Sequence, residues 1–159
     1  MNTQHSLISR IAILISTVFY IGYIPKASGT FGSLFGLLLY PFIAKLGFIA
    51  SVGIIILLFL LGCWSSHVSG KIFGDHDSSK IVVDEVVGIW ITLLGSNLSL
   101  SSLITGFVLF RLFDIIKPQP AKFFDEKIHS AFGTMMDDVV AGFYGLGILL
   151  LFQYIYSIA

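Results

Sequence analysis

The residues best equipped for chemistry are nine acids, all between positions 75 and 138. Asp84 and Glu85 sit in I-V-V-D-E-V-V-G, Asp137 and Asp138 in M-M-D-D-V-V-A-G, and Asp114 in F-R-L-F-D-I-I-K-P. Each group borders an apolar run. A carboxylate at membrane depth costs about 2.5–3.5 kcal/mol on insertion scales, and adjacent pairs also repel each other. One reading is capping, because a helix N-terminus favours a negative charge by about 0.3–1 kcal/mol. Capping serves one acid per helix, explains the second of each pair poorly, and fails for Asp114 near a C-terminus. The other reading is a shared cation site. An all-oxygen ligand set suits Mg²⁺, whereas zinc would recruit His or Cys. The four histidines, at 5, 67, 76 and 129, form no H-x-x-x-H pair. Only His76 adjoins a candidate ligand, Asp77, and alone it reads more simply as an interfacial polar residue.

Arg111, Asp114 and Lys117, at i, i+3 and i+6, share one helical face. The plain interpretation is an ion pair and a helix-end lysine; the functional one is a phosphate clamp beside the metal. Pro118 and Pro120 stop that helix. Carboxylates for a metal and Arg/Lys for an anion are the layout of phosphoryl transfer, where positioning and charge neutralisation dominate. A third segment, P-K-A-S-G-T-F-G-S at 25–33, offers close backbone approach at Gly29 and Gly32. It also presents the hydroxyls of Thr30 and Ser33 to an anion. The same segment reads equally as a helix start with Ser33 as N-cap.

The elements that carry these groups are apolar. Apolar side chains make up 56% of the 159 residues and charged ones 11%, against about 25% charged in an ordinary soluble domain. Eighteen charged side chains cannot cover the surface of a soluble domain of this size. A soluble globular domain and a disordered chain are thereby excluded. Zero net charge leaves no basic footprint for nucleic acid, and the single Cys63 excludes a disulfide framework. The reading is one all-α domain over 1–159, a polytopic integral membrane helical bundle. About four helices span, with short half-depth or re-entrant pieces.

Crossing about 30 Å of hydrocarbon takes about 20 residues. Leu46–Trp64 and Val139–Ala159 satisfy this. Val86–Phe110 is split by the turn chemistry of G-S-N-L-S-L-S-S into helices at about 81–95 and 99–116. Ser33–Ala44, with Pro41, is short and reads as re-entrant, turning at Lys45 and Gly47. Arg10 and Ile11–Ile24 resemble a secretory signal, but Pro25 and Lys26 fit a cleavage site badly, so a retained helix is expected. Six of the nine Lys/Arg residues fall within 71–127, and the hairpin brings 65–85 and 111–138 to one side. The positive-inside rule makes that side cytoplasmic.

Together the segments resemble the phosphatidylglycerophosphatase A family of bacterial membrane lipid phosphatases. The resemblance rests on P-x-x-x-G-T-x-G-S at 25–33, H-D-x-x-x-I-V-x-D-E-x-x-G at 76–88, F-R-x-x-D-x-x-K-P-x-P at 110–120 and M-x-D-D-x-x-A-G at 135–142. It implies Mg²⁺-dependent hydrolysis of the phosphomonoester of phosphatidylglycerophosphate at the cytoplasmic face of the inner membrane. It also implies a metal site of Asp77, Asp84, Glu85, Asp114, Asp137 and Asp138, with Asp84, Asp114, Asp137 and Asp138 catalytic. Thr30, Ser33, Arg111 and Lys117 would bind the substrate phosphate. Ser28 stands where the family usually has proline. Asp75 has no clear counterpart, and Asp125 fits the pattern only loosely.

Other chemistries fit less well. Cys63 lies in an apolar run without an electropositive phosphate loop. D-H-D-S-S at 75–79 lacks the preceding apolar strand of haloacid dehalogenase phosphatases. The Arg/His signature of type-2 phosphatidic acid phosphatases and the D-G-x-x-A-R of CDP-alcohol phosphotransferases are absent. The alternative from another class is a small carboxylate-based cation or proton-coupled transporter, since intramembrane acids mark ion pathways.

Overall fold

The computed structural model describes residues 6–158, so His5 and the last residue of the expected 139–159 span lie outside it. Among the described residues it is all-helical. The helices are α1 (Leu7–Ser16), α2 (Ser28–Ala44), α3 (Phe48–Phe73), α4 (Val83–Leu93), α5 (Leu100–Ile116), α6 (Ala121–Lys127) and α7 (Ala131–Ile158), with a single 3₁₀ turn at Ile21–Tyr23. Two of them, α3 and α7, are long and apolar enough to cross a membrane. Their outward faces carry Ile49, Leu57, Leu60, Leu151 and Phe152, all exposed.

Helix α4, of only 11 residues, is the hub. Ten of its eleven residues are buried, against α7 and α2 above all, and then α5 and α3. Trp90 Nε1 donates to the Gly36 carbonyl at 2.8 Å, fixing α4 to α2. The hairpin read from G-S-N-L-S-L-S-S is present: Gly95, at φ +76°, turns the chain, and Ser99 caps α5 by accepting the N–H of Ser102. Gly74, also left-handed, ends α3 with its N–H on the Gly70 carbonyl, which releases the 75–82 loop toward the head of α4.

Three expectations change. The N-terminal apolar run is not one helix. Thr17 Oγ1 donates to the Ile13 carbonyl and accepts the N–H of Tyr20; α1 stops at Ser16, and Val18, Phe19 and Tyr20 follow with positive φ. Helix α2 starts at Ser28, so Gly29, Thr30, Gly32 and Ser33 are helical rather than a loop, and Ser33 is no N-cap. Pro41 falls in its last turn and does not shorten it. Helix α7 begins at Ala131, two turns before Asp137 and Asp138.

Candidate active site

Asp84 and Glu85 occupy the first turn of α4, one turn from Gly88. A Cβ on Gly88 would strike the Phe110 ring and sit 2.9 Å from the Asp138 carbonyl; one on Gly142 would sit 2.6 Å from the Gly88 carbonyl. The Thr92 hydroxyl lies 3.0 Å from the Gly88 carbonyl and 3.2 Å from that of Gly142. Small residues at this crossing let the α4 and α7 backbones approach closely. The consequence is chemical: Asp84, Glu85 and Asp138 bring one carboxylate oxygen each within 4.8 Å of one another. Asp84 Oδ1 and Asp137 Oδ1 each accept the N–H of the following residue, at 3.0 and 2.9 Å, which orients both carboxylates.

These acids wall a cleft of about 350 Å³ with Asp77, Asp114, Asp137, Arg111, Lys117, Ser28 and Gly29. Six carboxylates and two cations give it a formal charge of −4. Both cations are held. Arg111 pairs with Asp114 at 2.6 Å and donates from Nη1 to Ser33 Oγ at 3.3 Å. The Ser33 hydroxyl itself donates to the Gly29 carbonyl at 2.7 Å. Lys117 takes a left-handed backbone at the end of α5, which turns its ammonium back onto Asp137, at 2.7 Å, and onto Asp125. Burial works to lower the Lys117 pKa, but the hydrogen bonds and charges of Asp125 and Asp137 outweigh it and hold the pKa above the usual lysine value.

Glu85 Oε2 is buried without a hydrogen-bond partner. Gly29 is tight against the other oxygen: a Cβ there would collide with Glu85 Oε1. A buried, unpartnered carboxylate oxygen costs several kcal/mol unless a cation or a proton neutralises it. With two more acids inside 4.8 Å and all-oxygen donors, the trio fits a hard divalent ion.

The structure brings together Asp77, Asp84, Glu85, Asp114, Asp137, Asp138, Arg111 and Lys117 in one cleft. It does not bring Thr30 to the wall, because a residue next to Gly29 on a helix points about 100° away. Ser33 stands behind the wall and supports Arg111. Asp137 and Asp138 lie well inside α7, so capping does not explain them. Asp125, a loose fit in the sequence, is engaged through Lys117. His67, His76 and His129, far apart in the chain, share a separate cleft. The acids gather at one end of the bundle, while the rest of α4 toward Leu93 packs with apolar residues.

The family profile described as phosphatidylglycerophosphatase A matches residues 14–153. The Haemophilus influenzae protein named phosphatidylglycerophosphatase A is 37% identical over 159 residues, covering 96% of this chain and 98% of its own. An Escherichia coli protein of the same name is 35% identical over 137 residues, covering 86% of this chain and 80% of its own. A candidate phosphatidylinositol-3-phosphatase of Bacteroides thetaiotaomicron is 36% identical over 146 residues, covering 86% and 89%. No solved structure matches the chain.

Proposed function

The chain belongs to the phosphatidylglycerophosphatase A family, and from that premise we propose how its cleft works. It is a phosphatase that removes the terminal phosphate of phosphatidylglycerophosphate, releasing phosphatidylglycerol and inorganic phosphate. The observation that carries this is the meeting of Asp84, Glu85 and Asp138 within 4.8 Å, beside Arg111 and Lys117 in the same cleft.

Asp84, Glu85 and Asp138 would hold Mg²⁺, with Asp77, Asp114 and Asp137 close by. Bound there, the ion supplies a Lewis acid and neutralises phosphate charge. The protein's own groups do the rest. Arg111, anchored by Asp114 and Ser33, turns its remaining N–H donors to the phosphoryl oxygens as a rigid fork. Lys117, braced between Asp125 and Asp137, adds a compact positive charge. Both cations are positioned before substrate arrives, which is where electrostatic catalysis gains most.

The lengths and exposed apolar faces of α3 and α7 support two full crossings; α2 and α5, of 17 residues each, would enter the membrane beside them, and α4, at 11 residues, is too short to cross alone. The cytoplasmic, inner-membrane placement of the cleft rests on the Lys/Arg bias and on the family. Diacyl tails would then remain in the bilayer while only the headgroup enters.

The test is phosphate release by purified protein in detergent from a short-chain phosphatidylglycerophosphate. Release that requires Mg²⁺, stops with EDTA and is lost in Asp84→Asn supports the proposal. Ion flux in proteoliposomes without hydrolysis would instead support transport.

A further inference from the structure

A second cleft, of about 520 Å³, lies on the other side of the loop that walls the acidic one. It is lined by Arg10 and Ile13 of α1, Tyr20, Tyr23, Ile72, Phe73 and Lys80. The two clefts share that loop: Asp77, Ser78, Ser79 and Ile81 face the acids, and Lys80 faces the opposite way. Its register is fixed. The Ser28 hydroxyl donates to the Ser79 carbonyl at 2.6 Å, the Val82 N–H donates to the Ser16 carbonyl at 2.9 Å, and Gly22 leaves no room for a Cβ against the Lys80 carbonyl.

The charge of this cleft is the reverse of its neighbour's. Among the described residues, neither Arg10 nor Lys80 has a carboxylate within 4.0 Å. The Lys80 ammonium is instead held over the rings of Phe73, at 5.0 Å, and Tyr23, at 5.3 Å, which orients it without neutralising it. The Tyr20 and Tyr23 rings lie 5.8 Å apart, both half exposed, as tyrosines are at a membrane interface. Leu7, Ile8 and Ile11 are exposed on α1, an apolar face suited to the acyl boundary.

Resting on the functional reading above, the substrate has two anions: the phosphomonoester that is cleaved and, a three-carbon unit away, the phosphodiester that is kept. The acidic cleft has two cations, Arg111 and Lys117, both assigned above to the phosphomonoester, and six carboxylates, so it offers no further cation to the phosphodiester. We propose that Arg10 and Lys80, framed by Tyr20 and Tyr23, bind the phosphodiester of the lipid whose phosphomonoester lies in the acidic cleft. This makes them specificity-determining residues, selecting a phospholipid with two phosphates over one that carries only a phosphomonoester.

The probe is dihexanoyl phosphatidylglycerol, which has the phosphodiester and no phosphomonoester, titrated into the full-length protein in neutral detergent. Its affinity is expected to fall about tenfold in Lys80→Gln and in Arg10→Gln. It should recover in Lys80→Arg and hold in Lys45→Gln, a cation at the far end of α2. Equal affinity in wild type and cleft variants, or no binding by the wild type, overturns the proposal. This readout needs no turnover, so a wild type that fails to release phosphate from phosphatidylglycerophosphate refutes the functional reading separately. Kinetics distinguish the source of the diester. With phosphatidylglycerophosphate as the only anionic lipid, a tenfold higher KM with little change in kcat in Lys80→Gln assigns the cleft to the substrate itself. A KM that shifts only when phosphatidylglycerol is added assigns it to a neighbouring lipid and overturns the proposal as stated.

Discussion

Asp138 on α7 places a carboxylate oxygen within 4.8 Å of one from Glu85 on α4, and Glu85 keeps its Oε2 buried without a partner. Carboxylates are held this close when packing outweighs their repulsion and a cation or a shared proton neutralises part of the charge. The packing is the Gly88–Gly142 crossing, and the counter-charge is the divalent ion proposed for the trio.

Metal removal therefore has a definite sign. Saturating Mg²⁺ should raise the melting temperature of the wild type, since an ion at one hundred times its Kd adds about 2.7 kcal/mol. In EDTA, Glu85→Gln should melt about 2–4 °C above the wild type for each kcal/mol of repulsion relieved, and it should lose the Mg²⁺ response. Thermal unfolding followed by fluorescence in detergent reads both effects.

The crossing can be tested without touching an acid. Gly88→Ala puts a methyl into Phe110 and toward the Asp138 carbonyl, which should cost about 1–3 kcal/mol by overpacking and reduce phosphate release at least tenfold. Gly53→Ala and Gly147→Ala meet nothing within 4 Å and should remain near wild type in melting temperature and turnover.

The two cations should fail differently. Arg111→Lys removes the planar fork and should lower kcat/KM by about 10–100-fold, with a smaller loss in Ser33→Ala, which frees the guanidinium from its support. Lys117→Gln leaves Asp137 and Asp125 without their cation and should cost stability as well as rate. Because Asp125 and Asp137 raise the Lys117 pKa against the opposing effect of burial, the ammonium stays charged past the ordinary lysine value and loses its proton only as pH rises through the raised one. The rate profile should show no limb from Lys117 below about pH 10.

Much of this was legible in the chain because the physics was local. Turn chemistry at Gly95–Ser102 places the α4–α5 hairpin within two residues of its observed ends, and acids at the margins of apolar runs single out the cleft. The 25–33 segment misleads because Gly29 and Gly32 read as loop by propensity. In the fold they are helical, since Glu85 and Val82 lie where their side chains would be. The start of α7 is hidden because the uncharged run begins only at Val139, after Asp137 and Asp138, whereas the two turns before it are helical and pack on α4 and α6. The burial of Ser33 beneath Arg111 and the 5.7 Å approach of the His76 and His129 rings are long-range facts that spacing does not encode.

Binding of a divalent ion tests the central claim most directly. Mn²⁺ titrated into the purified protein and followed by electron paramagnetic resonance should saturate a site in the wild type. Asp84→Asn, Glu85→Gln and Asp138→Asn should each bind at least tenfold more weakly, with phosphate release falling in step. Unchanged Mn²⁺ affinity in all three variants, or phosphate release that persists in EDTA, would contradict a shared metal centre built from α4 and α7.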